Sequence, residues 1–220
     1  MILKEFEEYA NRLNIFKVAY TNIKTKNNLK IKFNNVIVLA IEMDMEILES
    51  KPGEKAKNLN KAFYEKFRKI TEELSKYLLN NGIESQIAYP NEQLINLPFL
   101  GEKSGIGGIG KNGILITPEF GPRVKLSGIL TSFEDPSFEF SEKKYKWIKK
   151  YCEDCMDCMN YCENEALIKD SNDNLILIGS KCIGSEEGCT YCIEKCPFFE
   201  KGYDFVRNDF LYNIQHDFSK

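Results

Sequence analysis

Apolar residues open the chain at helical spacing: Ile2, Leu3, Phe6, Tyr9, Ala10 and Leu13 repeat about every 3.6 residues, so residues 1–15 predict an amphipathic helix. The pattern then changes period. "FKVAY" (16–20) and "NNVIVLAI" (34–41) read as strands, and the unbroken apolar run Val36 to Ile41 predicts a strand buried on both faces. Leu59, Phe63, Phe67, Ile70, Leu74 and Leu78 restore the helical period from about 55 to 80. Asn80-Asn81-Gly82 then supplies a helix stop, because glycine takes the left-handed conformation that ends a helix without strain. Beyond it "IESQIAYP" predicts a strand, "LPFLGEK" a short helix, and "GILIT" and "VKLSGILTS" two more strands. Residues 34–35 and 170–174 are polar turns. Helices and strands alternating in this way predict a mixed α+β fold with an α/β first domain.

Composition narrows the classes. At 220 residues the chain can form one ample domain, or a domain of about 150 residues with a small module, without disulfides to hold it. Its longest apolar run is far short of the roughly 20 residues needed to cross a bilayer, and its first helix lacks a signal-peptide core. A cytoplasmic protein with no membrane partner is expected. With 30 basic and 33 acidic residues, a net charge of −3 gives no general attraction to nucleic acid. "KKYKWIKK" (143–150) interleaves lysines with Tyr145 and Trp147 as a nucleic-acid patch would, but reads better as the solvated face of a helix. The lone His216 is expected at the surface, with no second histidine to share a metal.

All 8 cysteines fall between 152 and 196. A reducing cytosol keeps them from pairing, so metal is the expected partner. The asymmetry places a boundary near 145, giving domains 1–145 and 146–220. Cys152, Cys155, Cys158 and Cys162 fit C-x2-C-x2-C-x3-C, the run of bacterial ferredoxin modules, in which three thiolates grip one [4Fe–4S] cube and the fourth crosses to the other. Such a run needs a second half. Cys182, Cys189, Cys192 and Cys196 supply it, the last followed by Pro197. On that pattern Cys152, Cys155, Cys158 and Cys196 hold one cluster, and Cys162, Cys182, Cys189 and Cys192 the other. Two zinc sites are the alternative, although zinc knuckles do not need the x2 and x3 spacings of the first run. Six residues between Cys182 and Cys189, and no proline after Cys162, depart from a plain ferredoxin.

Gly105, Gly107 and Gly110 match G-x-G-x-x-G, but a short helix precedes them where a dinucleotide fingerprint needs a strand. Glycine at this density implies close backbone approach, either to a bulky ligand or within a ligand-free turn.

The stretch "SGIGGIGKNGILITPEFG" resembles the glycine motif of the epoxyqueuosine reductases, and "ITPEFGPRVKLSGILT" resembles the core of the reductive dehalogenases. In both families the motif is followed by C-x2-C-x2-C-x3-C, an isolated cysteine matched here by Lys181-Cys182-Ile183, and a final run matched by "GCTYCIEKCP". The resemblance is strong from about 98 to 197 and implies a nitroreductase-like first domain before a ferredoxin-like module. It implies a base-off cobalamin reduced through two [4Fe–4S] clusters to Co(I) or Co(II), acting on a small molecule or another cofactor. By position Gly105, Gly107, Gly110, Lys111 and Asn112 would border the corrin, with Pro118, Glu119, Phe120 and Gly121 shaping the adjacent wall. Where epoxyqueuosine reductases carry an aspartate proton donor this chain has Asn91, so either the neighbouring Glu92 substitutes or the chemistry differs. Tyr89 with Lys111 could imitate the tyrosine and basic residue of the dehalogenases, a nearby cation easing loss of the phenol proton.

Neither the twin-arginine leader of exported dehalogenases nor the helical-repeat tail of the longer reductases is expected, and the charge balance argues against tRNA as a partner. A low-potential donor such as ferredoxin or flavodoxin is expected, with oxygen sensitivity and an anaerobic setting. Two other readings are an electron-transfer or activation protein that reduces a partner protein's metal cofactor without a corrinoid, and an FMN enzyme.

Overall fold

The computed structural model describes residues 2–23, 30–89, 94–139, 144–171 and 175–217. They form two compact units, each assembled from separated stretches of chain. Unit 1 comprises 1–43, 62–106 and 125–144; unit 2 comprises 44–61, 107–124 and 145–220. Residue 145 is where the chain enters unit 2 for the last time, and the glycine-rich segment 107–124 joins the cysteine-bearing one.

Unit 1 is built on a four-stranded sheet of order β1-β2-β6-β3, with β1 (Lys17–Asn22), β2 (Asn35–Glu42), β3 (Ser85–Ala88) and β6 (Val124–Thr131). β1 pairs antiparallel with β2, Ala19 opposite Val38, and β3 antiparallel with β6, Ile87 opposite Ile129. Val36 to Ile41 are all buried, as an uninterrupted apolar strand requires when both its faces are covered. The long helix α3 (Glu54–Asn80) presents Phe63, Phe67, Leu74 and Leu78 to the core, and its Thr71 hydroxyl donates to Ser127 Oγ of β6 at 3.1 Å. Gly82, at φ 76°, ends it as expected. α1 (Ile2–Arg12) buries Phe6 and Ala10, and its Tyr9 ring lies 5.2 Å from Tyr77 of α3. The short helix α4 (Leu97–Lys103) starts on an Asn96 side chain that accepts from the Phe99 N–H.

Unit 2 begins with α2 (Met45–Glu49) and the first residues of α3. The expected "GILIT" strand shrinks to β5 (Leu115–Ile116), paired only with β4 (Gly108–Ile109) in a two-stranded hairpin. Beyond Ile116 the chain turns back on itself, Thr117 pairing with Gly121, and the strand ends there. The later segment comprises α5 (Lys146–Cys155), α6 (Asp157–Asn160), a hairpin of β7 (Leu167–Lys169) and β8 (Leu175–Leu177), α7 (Tyr191–Glu194), α8 (Pro197–Glu200) and α9 (Tyr203–Asp217).

Ile116, Tyr145, Ile148, Phe198 and Val206 form the core of this unit. Trp147 packs on Phe198, Tyr203 and Phe210, with ring centroids 5.5 to 5.7 Å apart. The aromatic residues of "KKYKWIKK" therefore hold α5 to α8 and α9, while Lys146, Lys149 and Lys150 face solvent. Bases could not stack on Tyr145, which is buried. Among the described residues no helix is long and apolar enough to cross a membrane.

Candidate metal centres

The first cysteine run is shaped by two short helices and a backbone kink. Cys152 and Cys155 lie on the last turn of α5, and Met156 then turns left-handed at φ 53°. α6 carries Cys158 from there. A left-handed non-glycine residue costs about 1–2 kcal/mol, and here it re-aims the chain within three positions so that three thiols share one side. Cys162 follows α6, and a second left-handed residue, Glu165 at φ 49°, folds the chain back so that the Ala166 N–H donates to the Cys162 sulfur at 3.3 Å. That turn does the work usually left to a proline after the fourth cysteine.

The six residues between Cys182 and Cys189 form a turn of their own. Glu187 N–H donates to Ile183 O at 2.8 Å, and Gly53 N–H donates to Glu187 O at 2.8 Å. Gly188, at φ 71°, lies so close to the first turn of α3 that a Cβ there would meet Ala56 C at 2.5 Å and Lys57 N at 2.7 Å. The extra residues thus dock on α3, which leaves Cys182 and Cys189 on one cavity. Pro197 opens α8 and Cys196 immediately precedes it.

The eight thiols divide into two quartets. Cys162, Cys182, Cys189 and Cys192 line a cavity of about 170 Å³ with Ile114, Leu167, Leu177 and Tyr191. Cys152, Cys155, Cys158 and Cys196 line a tighter one of about 20 Å³ with Lys111, Ile116 and Tyr151. Each quartet takes a cysteine from the other half of the sequence, and none of the eight is in a disulfide. Among the described residues no three metal-ligating side chains converge closely enough to hold a single ion. This donor set and its arrangement fit two multi-iron clusters.

Burial sets the electrostatics. It pushes the Cys152 thiol up to about 11 and those of Cys158 and Cys192 up to about 12, and raises Cys155, Cys189 and Cys196 as well. Neighbouring thiols add to this within each quartet: Cys152 and Cys155 act on Cys158, and Cys152, Cys155 and Cys158 on Cys196. Gathered thiols of this kind would ionise against a cationic centre, which a bound metal would supply by displacing their protons. Hydrogen bonds oppose the rise. The Lys111 backbone N–H donates to Cys152, and the Asp157 backbone N–H and, to a lesser degree, the Tyr151 hydroxyl donate to Cys155.

The glycine loop has a structural place. A Cβ on Gly107 would meet Ile116 O at 2.2 Å, and one on Gly108 would meet Tyr145 O at 2.8 Å. A Cβ on Gly110 would meet Asn112 Oδ1 at 3.0 Å and the Cys152 sulfur at 3.6 Å. These glycines are filled by the protein's own chain. Gly105, at φ 78°, follows the end of α4 in unit 1, and Gly121, at φ 56°, closes a turn around Pro118, the exposed Glu119 and Phe120, against Phe198 O. Lys111 and Asn112 both line the Cys152 cavity, and Asn112 lines the other as well. Lys111 Nζ pairs with Glu153 Oε1 at 3.8 Å.

In unit 1 the Tyr89 hydroxyl donates to Glu72 Oε1 at 2.9 Å, with the Arg68 guanidinium 5.2 Å from its ring centre. Burial and Glu72 raise the Tyr89 phenol, outweighing Arg68, so the phenol holds its proton more firmly than a cation alone would allow. Asn91 and Glu92 lie outside the described residues. Sequence reasoning missed Tyr151 and Glu153. Tyr151 had a signal, since it precedes Cys155 by four positions and so shares its helix face.

No family model matches the chain. In sequence it is similar to a tetrachloroethene reductive dehalogenase from Sulfurospirillum multivorans, 25% identical in an alignment 215 positions long that covers 84% of this chain and 40% of that protein. It is also similar to an epoxyqueuosine reductase from Atelocyanobacterium thalassa, 30% identical over 140 residues, 56% of this chain and 43% of that protein. The chain thus spans less than half of either relative. Its fold matches a solved catabolic reductive dehalogenase with a TM-score of 0.71 at 14% identity, covering 92% of this chain and 33% of that one. It also matches an epoxyqueuosine reductase solved with a modified tRNA stem loop, TM-score 0.65 at 16% identity, covering 91% and 66%. The resemblance first carried by the glycine motif and the cysteine runs is therefore one of sequence and of fold.

Proposed function

We propose that this protein is a reductase of the reductive dehalogenase and epoxyqueuosine reductase type, in which two [4Fe–4S] clusters pass electrons to a base-off cobalamin that acts on a small molecule or cofactor. The observation that carries this reading is the division of eight thiols into two crossed quartets, each around its own cavity. When bound, the clusters supply one-electron storage and transfer, and the corrinoid supplies a low-valent cobalt able to reduce an electrophilic carbon.

The chain's own residues do the rest. Two quartets of thiolates hold the irons, and N–H groups of Lys111 and Ala166 with the Tyr151 hydroxyl support three of the sulfurs. Ile114, Leu167 and Leu177 give the larger cavity apolar walls. Tyr89, Glu92 and Lys111 are the catalytic residues proposed from the resemblance; the Tyr89 hydroxyl donates to Glu72 Oε1 at 2.9 Å, and Lys111 Nζ pairs with Glu153. Ferredoxin or flavodoxin is the proposed electron source. Similarity to the tRNA-bound reductase supports the fold and leaves the substrate to experiment.

One observation favours a second reading, an electron-transfer or activation protein with no corrinoid: the close approaches at Gly107, Gly108 and Gly110 are to this chain's own atoms. Anaerobically purified protein incubated with excess hydroxocobalamin and desalted decides between them. Retained cobalt near one per chain supports the corrinoid enzyme, and clusters without cobalt support the carrier.

A further inference from the structure

Lys111 and Asn112 are adjacent in sequence but serve different cavities. Lys111 lines only that of the Cys152 quartet, while Asn112 lines both. Asn112 Oδ1 accepts from Ile114 N at 3.1 Å, which leaves the two hydrogens of its amide nitrogen for what fills the cavities. The Lys111 side chain is only 13% exposed, and its partner Glu153 is 52% exposed, so the cation is screened less than the anion that answers it. Gly110 packs closely at this step, where a Cβ would stand 3.0 Å from Asn112 Oδ1 and 3.1 Å from Ile116 Cδ1.

A cluster becomes more negative on taking up an electron. Donors to its sulfurs and nearby cations stabilise that state and raise its potential. We propose that the Lys111–Asn112 step sets the two cluster potentials, Lys111 raising that of the Cys152 quartet's cluster alone and Asn112 raising both. The step thus biases electrons toward the Cys152 quartet. This inference rests on the two-cluster reading, and uptake of one electron per cluster from dithionite, with no bond made or broken, is all that it requires.

The test is a mediated anaerobic redox titration of the cluster-loaded protein, followed by electron paramagnetic resonance, with iron content measured on every sample. Lys111→Gln should lower one midpoint by about tenfold in the reduction equilibrium, about 59 mV for a one-electron couple. Lys111→Arg should leave it in place. Glu153→Gln should raise the same midpoint, and Asn112→Leu should lower both. Unmoved midpoints, a Lys111→Gln shift shared equally by both clusters, or a Glu153→Gln shift in the same direction as Lys111→Gln would each overturn the proposal. Should Lys111→Gln lose iron, the sign of the Glu153→Gln shift decides alone. Wild-type protein without two iron-containing midpoints would sink the two-cluster reading itself, an outcome distinct from unmoved midpoints in variants that keep their iron.

Discussion

Gly188 is where the unusual spacing of the second cysteine half meets the fold, and Gly188→Ala tests that meeting. Its φ of 71° is left-handed, which costs a residue with a Cβ about 1–2 kcal/mol. The new Cβ would also stand 2.5 Å from Ala56 C and 2.6 Å from Ala56 O, backbone atoms of a helix that cannot swing aside, and overpacking of this kind costs about 1–3 kcal/mol more. Gly113→Ala is the matched control: its φ is 81°, with nothing within 4 Å of the added Cβ, so only the backbone cost applies. The difference between the variants, about 1–3 kcal/mol, corresponds to roughly 2–12 °C in a chain of this size. Anaerobic thermal unfolding of the loaded proteins, with bound iron counted in each, should show Gly188→Ala melting lower and losing iron from one cluster. Equal melting points with full iron in both would refute the docking of the 183–188 turn on α3.

Trp147→Ala should destabilise by about 3–5 kcal/mol, read from thermal unfolding, because it empties the space among Phe198, Tyr203 and Phe210. If Trp147 instead served nucleic acid, stability would hardly change. Tyr151→Phe should keep the iron and lower the midpoint of one cluster, since a hydroxyl donor to Cys155 is lost; an unchanged midpoint would count against that bond. Tyr89 and Arg68 hold the Glu72 carboxyl below its ordinary value of 4.5. A depressed folded value stabilises above 4.5 and is lost as pH falls through it, so wild type should lose more stability than Glu72→Gln between pH 5 and 3 in paired thermal scans. Parallel profiles would contradict the pairing.

Most of unit 1 was legible because its signals are local. The Val36 to Ile41 run, the Leu59 to Leu78 period and the Asn80-Asn81-Gly82 stop each state their own structure, and β2, α3 and Gly82 follow them. "GILIT" misled because the turn that follows, in which Thr117 pairs with Gly121, sets its end, and its own apolar pattern does not announce that turn. Interleaving of the units was hidden for the same reason, since no local pattern announces that 44–61 and 107–124 pack with residues after 145. At the metal centres the cysteine spacing proposed which thiols belong together, and the cavities group them likewise. That Asn112 faces both cavities depends on tertiary packing, to which a sequence pattern is blind.

Crossed ligation is the central claim, and iron content of paired cysteine variants, purified and reconstituted anaerobically, tests it most directly. Wild type should hold about eight irons per chain, and Cys152→Ser with Cys196→Ser, both in one quartet, should keep about four. Cys192→Ser with Cys196→Ser, neighbours in sequence but in different quartets, should disable both clusters. Stoichiometric zinc in wild type, or about four irons surviving in the Cys192 and Cys196 double variant, would contradict the account.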